Sequence, residues 1–170
     1  NTIRNVFSRS SDNVLKSCQD VINLDYQNGF PNKKINEKLS LQPILGDAEI
    51  ENYLMTTYST RYSFLLLSLI YPNRDWLDKK YNEDHIFPQS EFTRYKLNKR
   101  GYSEEKINKY LLYYNTILNL ELLEDGENKS KNATPFDQWI VSRDDNFKKR
   151  HSIPDMDNYD FDNFIEFIEE

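Results

Sequence analysis

Asn82-Glu83-Asp84-His85-Ile86-Phe87-Pro88-Gln89-Ser90 and, later in the chain, Ile117-Leu118-Asn119-Leu120-Glu121-Leu122-Leu123-Glu124-Asp125-Gly126-Glu127-Asn128-Lys129-Ser130-Lys131 organise the rest of the sequence. The first is a short apolar segment, Tyr81 to Pro88, carrying an Asp-His pair. In the second, Ile117 to Leu123 is short and leucine-rich and predicts a strand, with Asp125-Gly126 as a tight turn after it. Between them Ser103 is placed to cap a helix that opens on Glu104-Glu105 and runs through Ile107, Tyr110, Leu111 and Tyr114, with Asn115 at its end. The expected fold is α+β: a mostly helical domain carrying two short strands with a helix inserted between them.

The flanking segments read as helical. Val14, Leu15, Cys18, Val21 and Ile22 recur at helical spacing behind Asp12, a predicted N-cap, and Gln27 to Pro31 carries turn chemistry. Asp47 opens a second helix with Ile50, Tyr53 and Leu54 on one stripe. A third, apolar helix spans Arg61 to Tyr71 and stops at Pro72. Trp76 and Leu77 are expected to anchor the next loop inward. Phe136, Trp139 and Ile140 lie on a helix beyond Pro135, and Phe161, Phe164, Ile165 and Ile168 form one face of an acidic C-terminal helix.

At 170 residues and 38% hydrophobic content, the chain can bury one good core. It is read as a single domain over 1–170, with a helical part at 1–78, a motif-bearing core at 79–150 and the acidic tail at 151–170. Its longest apolar run, Phe64 to Tyr71, is too short to span a bilayer. The single cysteine, Cys18, leaves no internal disulfide framework and no paired-cysteine zinc site. With Asn at the first position and no basic-then-apolar leader, the expectation is an excised piece of a cytoplasmic protein without a signal peptide.

The formal charge of −6 is unevenly spread. Residues 79–150 carry 14 Lys and Arg against 12 Asp and Glu, whereas 151–170 carry seven acids and no Lys or Arg. The central segment therefore keeps cations for a phosphate backbone, which permits nucleic-acid binding without demanding it.

Phosphodiester hydrolysis needs a deprotonated water, positive charge at the phosphate oxygens and help for the leaving oxygen. A hard divalent cation held by few protein oxygens meets the last two needs. Asp84 and the Asn128 side-chain carbonyl are candidate ligands for Mg²⁺ or Mn²⁺. His85, with an ordinary pKa near ~6.5 and pointing away from Asp84 on an extended backbone, is the candidate general base. Lys129, Lys131, Lys148, Lys149 and Arg150 are candidate phosphate contacts. No Gly-rich phosphate loop is present, so no nucleotide cofactor is expected. His151 is read as a surface or core residue outside the site.

Asp84-His85-Ile86-x-Pro88-Gln89, then Asn119, then Asn128, resembles the HNH, or ββα-metal, endonuclease motif, which also occurs in the HNH domain of CRISPR effector nucleases. The resemblance implies Asp84 and Asn128 as metal ligands, His85 as general base, and Asn119 as a supporting residue whose amide holds the loop that presents His85. Over roughly residues 50–155 the chain is similar to the C-terminal nuclease domain of bacterial restriction proteins of the GmrSD and SspE kind, which act on modified phage DNA. That resemblance implies a DNA-cutting effector of anti-phage defence, partnered by an N-terminal, nucleotide-dependent, modification-sensing domain on the same or another chain. The rival expectation is a catalytically inactive HNH-like module that binds DNA or protein; a third is an interaction domain acting through its acidic tail.

Overall fold

The computed structural model describes residues 10–40, 45–71 and 74–170. The chain forms two compact units, 1–50 and 51–170, so the subdivision expected near residue 78 falls inside the second unit.

In the first unit α1 (Ser11–Asp25) packs against α2 (Asn32–Lys38), whose Ile35 is buried. Asp12 is not the N-cap of α1: it lies inside the first turn, where its carboxylate suits the positive end of the helix dipole. The chain leaves α1 through a short 3₁₀ turn and Gly29, whose φ of 90° is readily adopted only without a Cβ. Helix α3 (Asp47–Leu54) spans the boundary between the units.

The second unit runs α4 (Ser63–Ile70), β1 (Tyr81–His85), α5 (Arg94–Lys99), α6 (Glu104–Tyr113), β2 (Leu120–Glu124), α7 (Asp125–Lys131), α8 (Phe136–Ile140), α9 (Asp145–Arg150) and α10 (Phe164–Glu169). Helices around one small sheet make the architecture α+β. Strands β1 and β2 pair antiparallel, with Asp84 opposite Glu121 and His85 opposite Leu120. Alternation then divides the sheet: Asn82, Asp84, Glu121 and Leu123 share one face, and Tyr81, Glu83, His85, Leu120 and Leu122 the other. Helix α7 covers the first face and α4 packs on β2. Both faces of β2 are therefore buried, which accounts for its imperfect polar alternation.

Several local rules hold in atomic detail. Ser103 caps α6 by accepting from Lys106 N, Thr93 caps α5 by accepting from Lys96 N, and Asp144 caps α9 by accepting from Phe147 N at 2.7 Å. The Ser63 hydroxyl at the head of α4 donates to the Glu83 carboxylate at 2.9 Å, tying that helix to β1.

Other expectations are corrected. No turn separates β2 from α7; Asp125 is already the first helical residue, and Asp125 and Glu127 sit favourably in the first turn. Helix α9 was not anticipated, and the tail helix is shorter than its apolar pattern, beginning only at Phe164 after a 3₁₀ turn. Trp76 packs on Phe64 and Tyr81 but stays half-exposed, and Leu77 projects into solvent at 96% exposure rather than inward. Pro72, read as the stop of α4, lies outside the described residues.

The core of this unit is aromatic. Phe87, immediately beyond the Asp84-His85-Ile86 run, is buried against Phe136, Phe164 and Phe167 at ring distances of 4.8–5.4 Å. The tail helix thus clamps the loop that leaves β1, and its acids face away from that contact. Tyr110 of α6 donates from its hydroxyl to the carbonyls of Phe161 and Asp162, fixing the approach to α10.

Candidate metal and base cleft

A cleft of about 400 Å³ opens off the end of β1, lined by Asp84, His85, Pro88, Gln89 and Ser90 from the strand and its loop. Asn128, Asn132 and Ala133 line it from α7 and its exit, and Tyr58 closes one side. The predicted Asp84, His85 and Asn128 are thus brought together. Asp84 and His85 belong to opposite faces of the sheet, yet both reach the cleft because the strand stops at His85 and the loop turns there.

His85 is nearly buried, with its ring 4.9 Å from that of Tyr58. Its Nε2 lies 3.0 Å from Asn115 Oδ1. An amide oxygen only accepts, so Nε2 carries the proton and Nδ1 keeps the free lone pair. Burial pushes the imidazole pKa below its ordinary value, against the opposing effects of the Asn115 hydrogen bond and the Asp84 charge. The ring is therefore neutral at neutral pH, the form a proton acceptor requires.

Asn119 is fully buried and spends its side chain on backbone. Its Oδ1 accepts from Phe87 N at 2.9 Å, and its Nδ2 donates to the carbonyls of Phe87 at 3.1 Å and Tyr114 at 2.7 Å. Its own carbonyl accepts from Ile86 N at 2.9 Å. The residue thus joins the loop after His85 to the end of α6, next to Asn115. Asn119→Ala is expected to destabilise the fold by about 2–4 kcal/mol in urea denaturation, because it strands a buried N–H and two buried carbonyls. A loss below about 1 kcal/mol would show that the loop is held by packing alone.

Beneath the cleft lies a buried charge network. Asp84 and Glu121 stand directly across the two strands, a like-charge pairing that is unfavourable by itself. Lys131, the last residue of α7 and fully buried, resolves it: its Nζ is 2.5 Å from Asp84 Oδ2 and 3.3 Å from Glu121 Oε1, and it also donates to the His85 carbonyl. On its other side Glu121 Oε2 is 2.7 Å from Nδ1 of the buried His151. Burial pushes the Glu121 carboxyl up, but Lys131 and His151 outweigh it and hold the group below its ordinary range. Burial likewise raises Asp84, with Lys131 opposing.

Lys131 is accordingly not a phosphate contact; its ammonium is committed to the interior. Lys129 is exposed and pairs with Asp125 at 2.6 Å on its own helix. Lys148 stacks its ammonium over Tyr159, Lys149 is exposed, and Arg150 lies 3.8 Å from Glu127. None of these four lines the cleft. The sequence reading missed Glu121, Asn115 and Tyr58; of the two places open to His151, surface or core, the structure shows the core. The acid in the middle of Leu120-Glu121-Leu122-Leu123 was the available signal, since a charge inside a buried strand needs a partner.

Among the described residues no three His, Cys, Asp or Glu side chains converge as a metal cluster. The cleft instead offers the Asp84 carboxylate together with the side-chain amides of Gln89, Asn128 and Asn132, hard oxygen donors of the kind that Mg²⁺ takes when water and phosphate complete its shell. Neither Asp84 Oδ1 nor the Asn128 amide has a hydrogen-bond partner among the described residues. Compared with protein-family models and with curated proteins, the chain finds no match. Among the described residues no helix is long and apolar enough to cross a membrane.

Proposed function

We propose that the second unit is a divalent-metal-dependent endonuclease domain of the HNH, or ββα-metal, type, which nicks or cuts DNA by phosphodiester hydrolysis. The observation that carries this reading is the cleft in which His85, held by Asn115, stands with Asp84 and Asn128. The order β1, β2, α7, with α7 packed on both strands, supports it. The effector half of a bacterial anti-phage restriction system, partnered by a modification-sensing domain, is the role this activity would serve.

In that reaction Asp84 and Asn128 would hold Mg²⁺ or Mn²⁺, which supplies positive charge to the phosphate and to the leaving oxygen. His85 Nδ1 takes the proton of the attacking water, and the Nε2–H bond to Asn115 keeps the acceptor nitrogen in place. Asn119 keeps the loop that carries His85 from shifting. Lys131 holds Asp84 in one orientation and screens it from Glu121.

A second reading rests on Lys131. Its ammonium already compensates Asp84, as it would in a domain that keeps the fold and binds DNA or protein without cutting. Incubation with supercoiled plasmid separates the two. The nuclease reading expects conversion to open-circular or linear DNA in Mg²⁺ or Mn²⁺ and none in EDTA. Plasmid that stays supercoiled with the full chain and its partner domain present would leave the binding module.

A further inference from the structure

A second concavity, of about 260 Å³, is lined by Tyr71, Arg74, Lys149 and Arg150, none of which lines the Asp84–His85 cleft. Arg74 is only 9% exposed, and among the described residues no carboxylate pairs with its guanidinium. One terminal nitrogen donates to the Arg150 carbonyl at 3.3 Å and meets His151 Nε2 at 3.3 Å. The guanidinium lies over the rings of Tyr71 and Tyr81 at 5.1 and 5.6 Å, and its buried Nε has no hydrogen-bond partner.

The acid whose charge acts on Arg74, Glu121, is already engaged. Glu121 is paired with His151 and Lys131, and Glu127 lies 3.8 Å from Arg150 and does not line the pocket. Lys149 has no ion pair among the described residues. A buried cation is costly unless something of opposite charge meets it, and two further cations beside it add repulsion. Arg150 indeed works with burial to push the Arg74 pKa down, although a guanidinium stays charged. An oxyanion seated among the three cations removes both costs, and arginine forks fit tetrahedral oxyanions well.

We propose that the Tyr71–Arg74–Lys149–Arg150 pocket binds one backbone phosphate of a nucleic acid, at a position apart from the cleft. Identifying the polymer rests on the nuclease reading; the affinity for a phosphate group rests on the pocket alone. Arg74 would fix the register of the strand, and Lys149 and Arg150 would add charge at the rim.

The test uses the full chain in EDTA, so that binding is read without cleavage. Nitrogen-15 spectra of arginine Nε–H groups report on Arg74 while inorganic phosphate, or a short DNA duplex, is titrated in. The proposal expects the Arg74 signal to shift with the duplex, and expects that shift to need about 10-fold more duplex in Lys149→Ser/Arg150→Ser, two exposed changes. In fluorescence anisotropy the same double variant should weaken duplex binding about 10-fold at low salt and lower the slope of log K against log salt by about 1–2. A shift with inorganic phosphate and none with duplex would overturn the nucleic-acid source in favour of a free phosphate. No shift with either probe would overturn the site. Plasmid that remains uncut while Arg74 responds to duplex would count against the nuclease reading and leave this pocket standing.

Discussion

Lys131→Met is expected to cost about 3–5 kcal/mol of folding stability at neutral pH, a large share of the roughly 5–15 kcal/mol that a domain possesses. The substitution keeps the aliphatic volume and deletes the charge. Asp84 and Glu121, paired across the strands, would then face one another in the interior with only His151 to offset Glu121. The pH dependence distinguishes this cause from lost packing. Without the ammonium, both carboxyls would titrate at higher pH in the folded chain than in the unfolded one. Protonation then favours the folded state, so the deficit should shrink as pH falls towards the carboxylate range. Adding Glu121→Gln should recover part of the loss, because the buried repulsion disappears with the second charge. Urea denaturation across pH measures both effects. A deficit under 1 kcal/mol, or one independent of pH, would mean that Lys131 contributes bulk rather than charge.

His85→Ala is expected to lower the cleavage rate by about 10²–10⁴-fold, the range a positioned general base supplies. His85 also packs against Tyr58, so some stability is lost as well, and the comparison belongs well below the variant's melting point. Asn115→Ala provides the companion measurement. It leaves the imidazole in place but frees Nε2 and the choice of tautomer, and should cost a smaller factor. Single-turnover cleavage of a labelled duplex reads both. Equal losses would make Asn115 as important as the base; an unchanged rate in His85→Ala would remove His85 from the chemistry.

The meeting of Asp84, His85 and Asn128 was expected from the spacing of the Asp-His pair, Asn119 and Asn128 taken together and from their resemblance to the ββα-metal motif, not from any one of these residues alone. That Asn128 sits one turn into α7 was not legible, since a turn was expected at Asp125-Gly126. Ser103 and the apolar stripe behind it were legible because capping and periodicity act over a few residues. What escaped depends on pairing between distant segments. Lys131 lies among Asn, Lys and Ser, a context that reads as solvated, and only the β1–β2 register with α7 laid across it carries the ammonium between two carboxylates. His151 looked isolated because its partners, Glu121 and Arg74, are remote in the chain. Asp125-Gly126 was read as a turn from dipeptide preference. Helix α7 prevails there because its acids sit favourably at the dipole and it covers a buried sheet face. The exposure of Leu77 has no such account in the structure.

A divalent metal held in the cleft beside His85 can be detected without any DNA. Substoichiometric Mn²⁺ added to ¹⁵N-labelled protein broadens the amide signals nearest the ion. Selective loss of signals is expected at Asp84, His85, Asn128 and Asn132, reversed by EDTA and absent in Asn128→Ala and Asp84→Asn. Broadening centred elsewhere, or left unchanged by both substitutions, would contradict a metal held in the cleft.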